Sequence, residues 1–377
     1  MSQPVLALGA WLKNRVCWVD GDAVHWSAVH GHLRDVTACV ALEASARELV
    51  RLHGMPQAIA HDLHPDFHST RLAHELAAEW GVPAIGVQHH HAHVAGVMAE
   101  FGCGGSVIGL ALDGLGLGTD GTVWGGELLR VNPQGFERLG HLWPLALPGG
   151  DVAAREPWRM LASALHAMGR GDEIVGHAQS TVGKSSARMI QNLLARGLLS
   201  PMTTSAGRWF DAAAAALGLA PRQQAEAEAA IALETTAAHF MDEIPANRTR
   251  AVELRKGAFD VLDLRPLIAE LLAWDGGERA VPEAAAWFHQ ALADGLSDWA
   301  ANAADRAGCS TVVLSGGCFF NDLLKRRVQL QLTLRGLRVL WPQSHSCGDA
   351  GIALGQAWVA ARQLPLLRKS EEDVVCA

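Results

Sequence analysis

Short apolar runs open the chain at Val5 to Gly9 and Arg15 to Val19, and a third lies near Val24 to Val29 after the turn Asp20-Gly21-Asp22. Runs of this length split by turn residues predict a β-meander; the apolar spacing then turns helical around Leu42, Ala46, Leu49 and Val50. A similar opening recurs at Val107 to Leu112. There a strand meets the glycine-rich run Asp113-Gly-Leu-Gly-Leu-Gly118, and a further strand covers Leu128 to Val131. Two meanders, each followed by helices, predict a duplicated α/β unit with a ligand cleft between its halves. The middle of the chain reads as helical at Pro157 to Met168, at Ser185 to Arg196, and along an alanine-rich run from Asp211 to His239. A last α/β segment follows: helix Ala284 to Ala307, strand Thr311 to Leu314, a Ser315-Gly316-Gly317 turn, helix Asn321 to Leu332, strand Arg338 to Leu340, and a closing helix after Gly351.

Composition narrows the class. A chain of 377 residues has room for two substantial domains, and 49% hydrophobic against 19% charged residues leaves no case for disorder. A formal charge of −8 argues against a broad nucleic-acid surface, which needs clustered excess Lys and Arg. Seven cysteines, an odd number with no C-x-x-C pair, indicate neither a disulfide framework nor a zinc ribbon, and a reducing cytoplasm fits best. The N-terminus lacks the charged and apolar regions of a signal peptide. No uninterrupted apolar stretch reaches the roughly 20 residues that span a bilayer, so no membrane association is expected.

The densest candidate chemistry is Val87-Gln-His-His-His-Ala-His-Val94. On a helix, His89 and His93 lie one turn apart on the same face, so both imidazoles can converge on one ion while His90 and His91 point elsewhere. Imidazole suits Zn, Fe or Ni, and two histidines need a carboxylate or water to complete the shell. The plain alternative is a solvated histidine patch. Position 90 is His where the zincin pattern H-E-x-x-H has Glu, which removes the general base of a metalloprotease. Asp113 ends a predicted strand, where it either caps a turn or turns its carboxylate to a ligand. Asp349, in Ser346-Cys-Gly-Asp-Ala-Gly351, either caps the final helix or projects into the cleft. His345 and Cys347 beside it read as loop residues. The strand-Ser315-Gly-Gly317-turn-helix arrangement is suited to cradling phosphate, with Asn321 in reach of a nucleotide; no Walker A or Rossmann fingerprint accompanies it.

Seven ordered strings carry a resemblance: Leu63-His-Pro-Asp-Phe-His-Ser-Thr-Arg71; Val87 to His93; Ala111-Leu-Asp-Gly114 with Asp120-Gly121 and Trp124-Gly-Gly-Glu127; Leu147-Pro-Gly-Gly-Asp151; Gly207-Arg208 with Phe210-Asp211; Ser315-Gly-Gly317 with Asn321; and Gly348-Asp-Ala-Gly351 with Leu354-Gly-Gln356. Together they resemble the HypF carbamoyltransferases of nickel-iron hydrogenase maturation, over nearly the whole chain. Within that family the chain is similar to the C-terminal, TsaD-like transferase domain alone, without the acylphosphatase-like, zinc-finger and YrdC-like domains.

The resemblance implies an actin-like (ASKHA) α/β fold of two RNase-H-like lobes around a central cleft. Residues 1–105 would form the first lobe with the metal-binding helix, and 106–377 the second, with a helical insertion over about 150–300. It implies that His89, His93, Asp113 and Asp349 hold a divalent metal, Zn or Fe, and carry the catalysis. Gly207, Asp211, Glu226, Gly316, Gly317 and Asn321 would line a pocket for ATP or AMP with Mg, and Lys13 would contact phosphate or carbamoyl. The implied reaction moves a carbamoyl group, originating in carbamoyl phosphate and carried as carbamoyl-adenylate, to the C-terminal cysteine of HypE. The donor would come from a separate YrdC-containing protein or be made in this cleft. Two further readings are O-carbamoylation of a small molecule and a non-catalytic subunit that binds HypE. One departure stands out: the family's Tyr-Glu-Gly is Ala225-Glu226-Ala227 here, placing a methyl where a ligand approaches. Cys376 is expected to be only a tail residue.

Overall fold

The computed structural model describes residues 3–241, 252–275 and 279–375; Cys376 lies outside them. Five strands form the first sheet: β1 (Val5–Ala7), β2 (Cys17–Asp20), β3 (Ala23–Trp26), β4 (Ala58–Asp62) and β5 (Ala84–Val87). Their order is β3-β2-β1-β4-β5, with β1, β2 and β3 antiparallel and β4 and β5 parallel to β1. The second sheet takes β6 (Val107–Leu117), β7 (Val123–Asn132), β8 (Gly135–Leu142), β9 (Leu145–Ala146), β10 (Met202–Thr203), β11 (Glu253–Arg255), β12 (Asp260–Asp263), β13 (Thr311–Ser315) and β14 (Arg338–Leu340). At its centre the run β8-β7-β6-β13-β14 repeats the first sheet's order and directions. The predicted duplication is therefore present as two RNase-H-like sheets, the signature of an actin-like α/β fold.

Helices α1 (Val36–His53) and α2 (His68–Trp80) cover one face of the first sheet. Between the two sheets lie α3 (His89–Glu100) and, from the far end of the chain, α12 (Ile352–Val375). The insertion supplies α4 (Pro157–Ala167), α5 (Ile174–Val182), α6 (Lys184–Arg196), α7 (Ala206–Ala216), α8 (Glu228–Ala237) and α9 (Arg265–Leu272). With α10 (Ala280–Ala307) and α11 (Asp322–Leu334), several of these pack on the outer face of the second sheet. Strand β1 shows how one short sequence serves two layers: Val5 and Ala7 face α3 and α12, while Leu6 and Leu8 face α1 and α2.

Three elements differ from expectation. Strand β6 does not stop at Leu112 but continues to Leu117 with an irregularity after Leu112, so Asp113 sits in a bulged strand and the turn falls at Gly118 to Thr122. The alanine-rich run breaks into α7 and α8. Between them, Ala227 takes a left-handed φ of 59°, a conformation glycine adopts freely, at the position where the family pattern has Gly. Finally, α12 packs on β1, β4 and α3 of the first lobe, and Gln356 fastens it there: Gly9 N donates to Gln356 Oε1 at 2.9 Å and Gln356 Nε2 donates to Gly9 O at 3.2 Å.

Candidate metal and nucleotide site

Helix α3 begins at the end of β5, with Gln88 as its cap: Gln88 Oε1 accepts from His91 N at 2.8 Å. Every residue from His89 to Met98 is buried, because sheets lie on both sides and α12 along it. A solvated histidine patch is thereby ruled out, and four buried imidazoles need partners. His90 contacts Gln88 through Nδ1 at 3.1 Å, and His91 packs against Phe136 with ring centroids 4.9 Å apart. His89 and His93 turn toward the second lobe. His93 Nε2 lies 2.9 Å from Asp113 Oδ2 and 3.9 Å from Asp349 Oδ1; His89 Nε2 lies 3.5 and 3.7 Å from the same two oxygens.

Two close approaches make this convergence possible. A Cβ built on Gly116 of β6 would meet the rings of His90 and His89 at 2.7 and 2.8 Å, and one on Gly355 of α12 would fall 1.8 Å from Ala92 O of α3. Only hydrogen at these positions lets β6 and α12 press against α3, which carries Asp113 and Asp349 to the histidines. Behind β6, Ser205 Oγ donates to the carbonyls of Asp113 and Gly114, at 3.0 and 2.7 Å. The Trp124-Gly-Gly-Glu127 string proves to be scaffold. Arg138 lies over Trp124 and pairs with Glu127 at 2.7 Å and Asp120 at 3.2 Å, while Thr204 Oγ1 hydrogen-bonds Glu127.

The sequence reading missed Asp62. It ends β4, is fully buried, and takes His89 Nδ1 at 2.7 Å on Oδ2 while Oδ1 accepts from His64 N at 2.9 Å. With its Nδ1 proton held by Asp62, His89 turns Nε2 toward Asp113 and Asp349 and would free that nitrogen for a cation that displaces its proton, the carboxylate-histidine arrangement behind many metal ligands. A buried-strand Asp just before the Leu63-His-Pro motif was the available signal.

The residues fit a metal. His89, His93, Asp113 and Asp349 each offer one ligand atom, all within 4.8 Å of one another, and His89 Nε2 is buried with no hydrogen-bond partner. The charges agree. Burial disfavours an imidazolium at His89, yet Asp62, Asp113 and Asp349 hold its proton well above the usual histidine range. Burial would likewise raise Asp113, but the bonds to His89 and His93 keep it well below the usual carboxylate range. Asp349 is pushed up to about 6, by burial and by the Asp113 charge against the pull of His89. Without a cation, protons balance this cluster; a bound divalent ion would displace them.

The residues expected to hold nucleotide separate into three groups. Gly316 and Gly317 stand beside the metal cluster: Gly316 has φ 100° with a built Cβ 2.3 Å from Leu112 O, and a Cβ on Gly317 would lie 3.1 Å from Asp113 Oδ1. Gly207, in the first turn of α7, is close to the same strand, its built Cβ 3.2 Å from Gly114 Cα. Asp211 and Asn321 are engaged elsewhere. Asp211 is buried, ion-paired to Arg208 at 2.7 Å and bonded by Gln223 Nε2 at 3.0 Å, and its carboxyl is pushed up to about 6, chiefly by burial. Asn321 caps α11 through Leu324 N at 2.9 Å, and its Nδ2 donates to His289 Nε2 at 2.9 Å. Lys13 and Glu226 find each other instead: Nζ to Oε2 is 3.2 Å, with both side chains about half-exposed. The pair joins the loop after β1 to the insertion, with Lys13 also over the Phe320 ring at 5.8 Å. Cys318 and Cys347 flank the glycine turn as protonated thiols, Cys318 well above its ordinary range and Cys347 pushed up to about 11, burial being the main cause in both.

Among the described residues no helix is long and apolar enough to cross a membrane, and six free cysteines form no disulfide. A groove of about 580 Å³ along the exposed face of α6 shares no residue with the metal cluster.

Comparison with known proteins identifies a family. The family model described as "HypF Kae1-like domain" matches residues 1–100, and "Carbamoyltransferase, Kae1-like Domain, second subdomain" matches 109–356. The chain is 54% identical to "Carbamoyltransferase HypF homolog" of Cupriavidus necator, covering 99% of this chain and 97% of that one. It is 40% identical to "Carbamoyltransferase HypF" of Rhizobium leguminosarum bv. viciae over 99% of its own length but 47% of the relative's. Among solved structures, full-length HypF in a phosphate- and nucleotide-bound form superposes with TM-score 0.86 at 32% identity, covering 96% of this chain and 46% of that one. HypF of T. kodakarensis does so with TM-score 0.86 at 30% identity, covering 97% and 48%. The chain thus spans about half the length of most of these relatives. With both matched segments meeting at the cluster of His89, His93, Asp113 and Asp349, the chain belongs to the HypF carbamoyltransferase family and carries its Kae1-like domain.

Proposed function

We propose that this protein is an ATP-dependent carbamoyltransferase acting in hydrogenase maturation, whose acceptor is the C-terminal cysteine of HypE. In the transfer step the HypE thiolate attacks the carbamoyl carbon of carbamoyl-adenylate. A carbon–sulfur bond forms, the bond from that carbon to the phosphate oxygen breaks, and AMP leaves with the electron pair. One observation carries the reading: two histidines and two carboxylates from both lobes converge within 4.8 Å of one another beside the Gly316-Gly317 turn, where a Cβ on Gly317 would stand 3.1 Å from Asp113 Oδ1. A divalent metal, Zn or Fe, held there by His89, His93, Asp113 and Asp349 would supply Lewis-acid stabilisation of charge developing on carbamoyl or phosphoryl oxygens.

The chain's own groups do the rest. The backbone amide of Gly317 holds phosphate, that of Gly316 being given to Cys347 O, and the absence of a side chain at Gly317 lets the phosphate approach Asp113 and the metal. Asp211 and Asn321 act through the parts they fix, Asp211 through Arg208 and Gln223 and Asn321 through the start of α11. Lys13 and Glu226 would exchange their 3.2 Å ion pair for contacts to the nucleotide, with Mg accompanying ATP. The site supplies no nucleophile, since the thiolate comes from HypE. The activity belongs in the cytoplasm, where HypE and carbamoyl phosphate meet, and involves neither membrane nor nucleic acid.

The test is mass spectrometry of the HypE C-terminal peptide after incubation with the protein, ATP and carbamoyl phosphate, with and without a YrdC-containing protein. A carbamoyl adduct on the terminal cysteine, absent with His93→Ala, is expected. An unmodified cysteine under both conditions would reject the assignment of the acceptor.

A further inference from the structure

We infer that Glu100 is a positioning residue for the metal cluster, acting through the loop that carries Asp349; the inference rests on the metal reading above. Glu100 is the last residue of α3, whose first two turns carry His89 and His93. A carboxylate at a helix C-terminus faces the negative end of the helix dipole, an unfavourable placement. The position therefore has to be offset by what the carboxylate binds. Its partners all belong to the segment between β14 and α12. Oε1 accepts from Ser344 N at 2.7 Å, both oxygens lie 3.1 Å from Gln343 N, and Oε2 lies 3.0 Å from His345 Nδ1. Both side chains are largely withdrawn from solvent, 12% exposed for Glu100 and 3% for His345.

The other side of the His345 ring rests on the same helix: a Cβ built on Gly96 would lie 3.3 Å from His345 Nε2. Gly96 follows His93 by one turn, so α3 grips this loop at two points beyond its metal-facing histidines. Four residues after His345 comes Asp349, whose Oδ1 lies 3.7 and 3.9 Å from His89 and His93 Nε2. The loop is also tied by backbone bonds from Gly316 N to Cys347 O and from Gly351 N to Gly348 O, both at 2.9 Å, by Gly348 N donating to Ser346 Oγ at 3.2 Å, and by the His345 ring stacked on Trp26 with centroids 6.5 Å apart. Without the Glu100 carboxylate, two backbone N–H groups lose their common acceptor and the imidazole loses the carboxylate 3.0 Å from its Nδ1. Metal–ligand distances tolerate about 0.2 Å, so a loop freed at this end presents Asp349 poorly. One carboxylate thus sets the separation between the histidine pair and the carboxylate from the far end of the chain.

The experiment measures Zn²⁺ affinity by chelator competition, and the melting temperature of the metal-free form, on the full chain and its Glu100→Ala, Glu100→Gln and His89→Ala variants. Loss of an outer partner of this kind weakens metal binding by about 10- to 100-fold. Glu100→Ala is expected to show that loss while its metal-free melting temperature stays within about 1 °C of the parent. Glu100→Gln keeps an acceptor for the two amides and should recover most of the affinity. Parent-like zinc affinity in Glu100→Ala, or a loss that tracks a lowered melting temperature, would overturn the inference. If Glu100→Ala does not fold, His345→Ala is judged by the same criteria. Zinc affinity no higher in the parent than in His89→Ala would instead sink the metal reading itself.

Discussion

Asp62 decides what His89 can do. By taking the Nδ1 proton at 2.7 Å it turns a buried imidazole into a ligand whose other nitrogen faces Asp113 and Asp349. Asp62→Asn should retain the fold and lower metal affinity by about 10- to 100-fold, whereas His89→Ala and Asp349→Ala each delete a ligand and should abolish stoichiometric metal. Elemental analysis that finds full occupancy in both alanine variants would refute the site. Away from the cluster, His289 makes the fold sensitive to acid. Its Nδ1 donates to Ala285 O at 2.8 Å and its Nε2 accepts from Asn321, and burial pushes it from 6.5 down to about 4. Below pH 6.5 the unfolded chain takes up a proton that the folded one refuses, so this contribution is complete above 6.5 and is lost as the pH falls toward 4. Between those limits the slope for one such group is about 1.4 kcal/mol per pH unit. Urea midpoints followed through this range should fall less steeply for His289→Gln than for the parent. Equal slopes would remove His289 from the account.

Helix α3 was placed by its histidine spacing, but its surroundings were not. An i, i+4 pair announces a shared face, while burial on every side depends on two sheets and α12 closing around it. Gly355 shows the dependence: a Cβ there would fall 1.8 Å from Ala92 O, inside any real contact distance. Gly355→Ala should push α12 off α3, cost about 1–3 kcal/mol as overpacking does, and weaken metal binding because Asp349 immediately precedes α12. A urea midpoint and metal content both equal to the parent's would show that the interface yields without consequence. Strand β6 and the α7–α8 break teach the complementary lesson. Asp113-Gly-Leu-Gly-Leu looks like a turn because glycine weakens strands locally, yet pairing with β7, resumed at Gly116 and Leu117, carries the strand past it although β13 pairs only as far as Ala111. The alanine-rich run favours helix by propensity, but Gly218, at φ 72°, and Pro221 interrupt it, and the chain re-enters α8 through the left-handed Ala227.

At the scale of the molecule, two sheets of the same strand order meet over α3 and α12, and the cluster forms where they meet. Whether this cleft also makes its donor is decided by an assay with carbamoyl phosphate and ATP alone. The metal cluster and glycine turn lie together, so formation of AMP and pyrophosphate is expected without a second protein, and Gly316→Val should suppress it by placing a side chain against Leu112 O. No product above a His93→Ala control, with activity restored by a YrdC-containing protein, would establish a divided enzyme.

The resemblance of their motifs joined Asp113 and Asp349 to the candidate ligands, while the chain's own residues determined the duplicated α/β plan, through two apolar meanders each followed by helical spacing, and the candidate pair His89 and His93, through His-x-x-x-His. Local pattern suffices there, because periodicity and spacing act over a few residues. Tertiary structure alone decided that Asp62 holds His89, that Asp211 and Asn321 spend their polar groups on Arg208, Gln223 and His289, and that Glu100 grips the Asp349 loop. Those contacts join positions up to 244 apart in the chain, and a hydrogen bond over such a separation is set by how layers pack rather than by any spacing in the sequence.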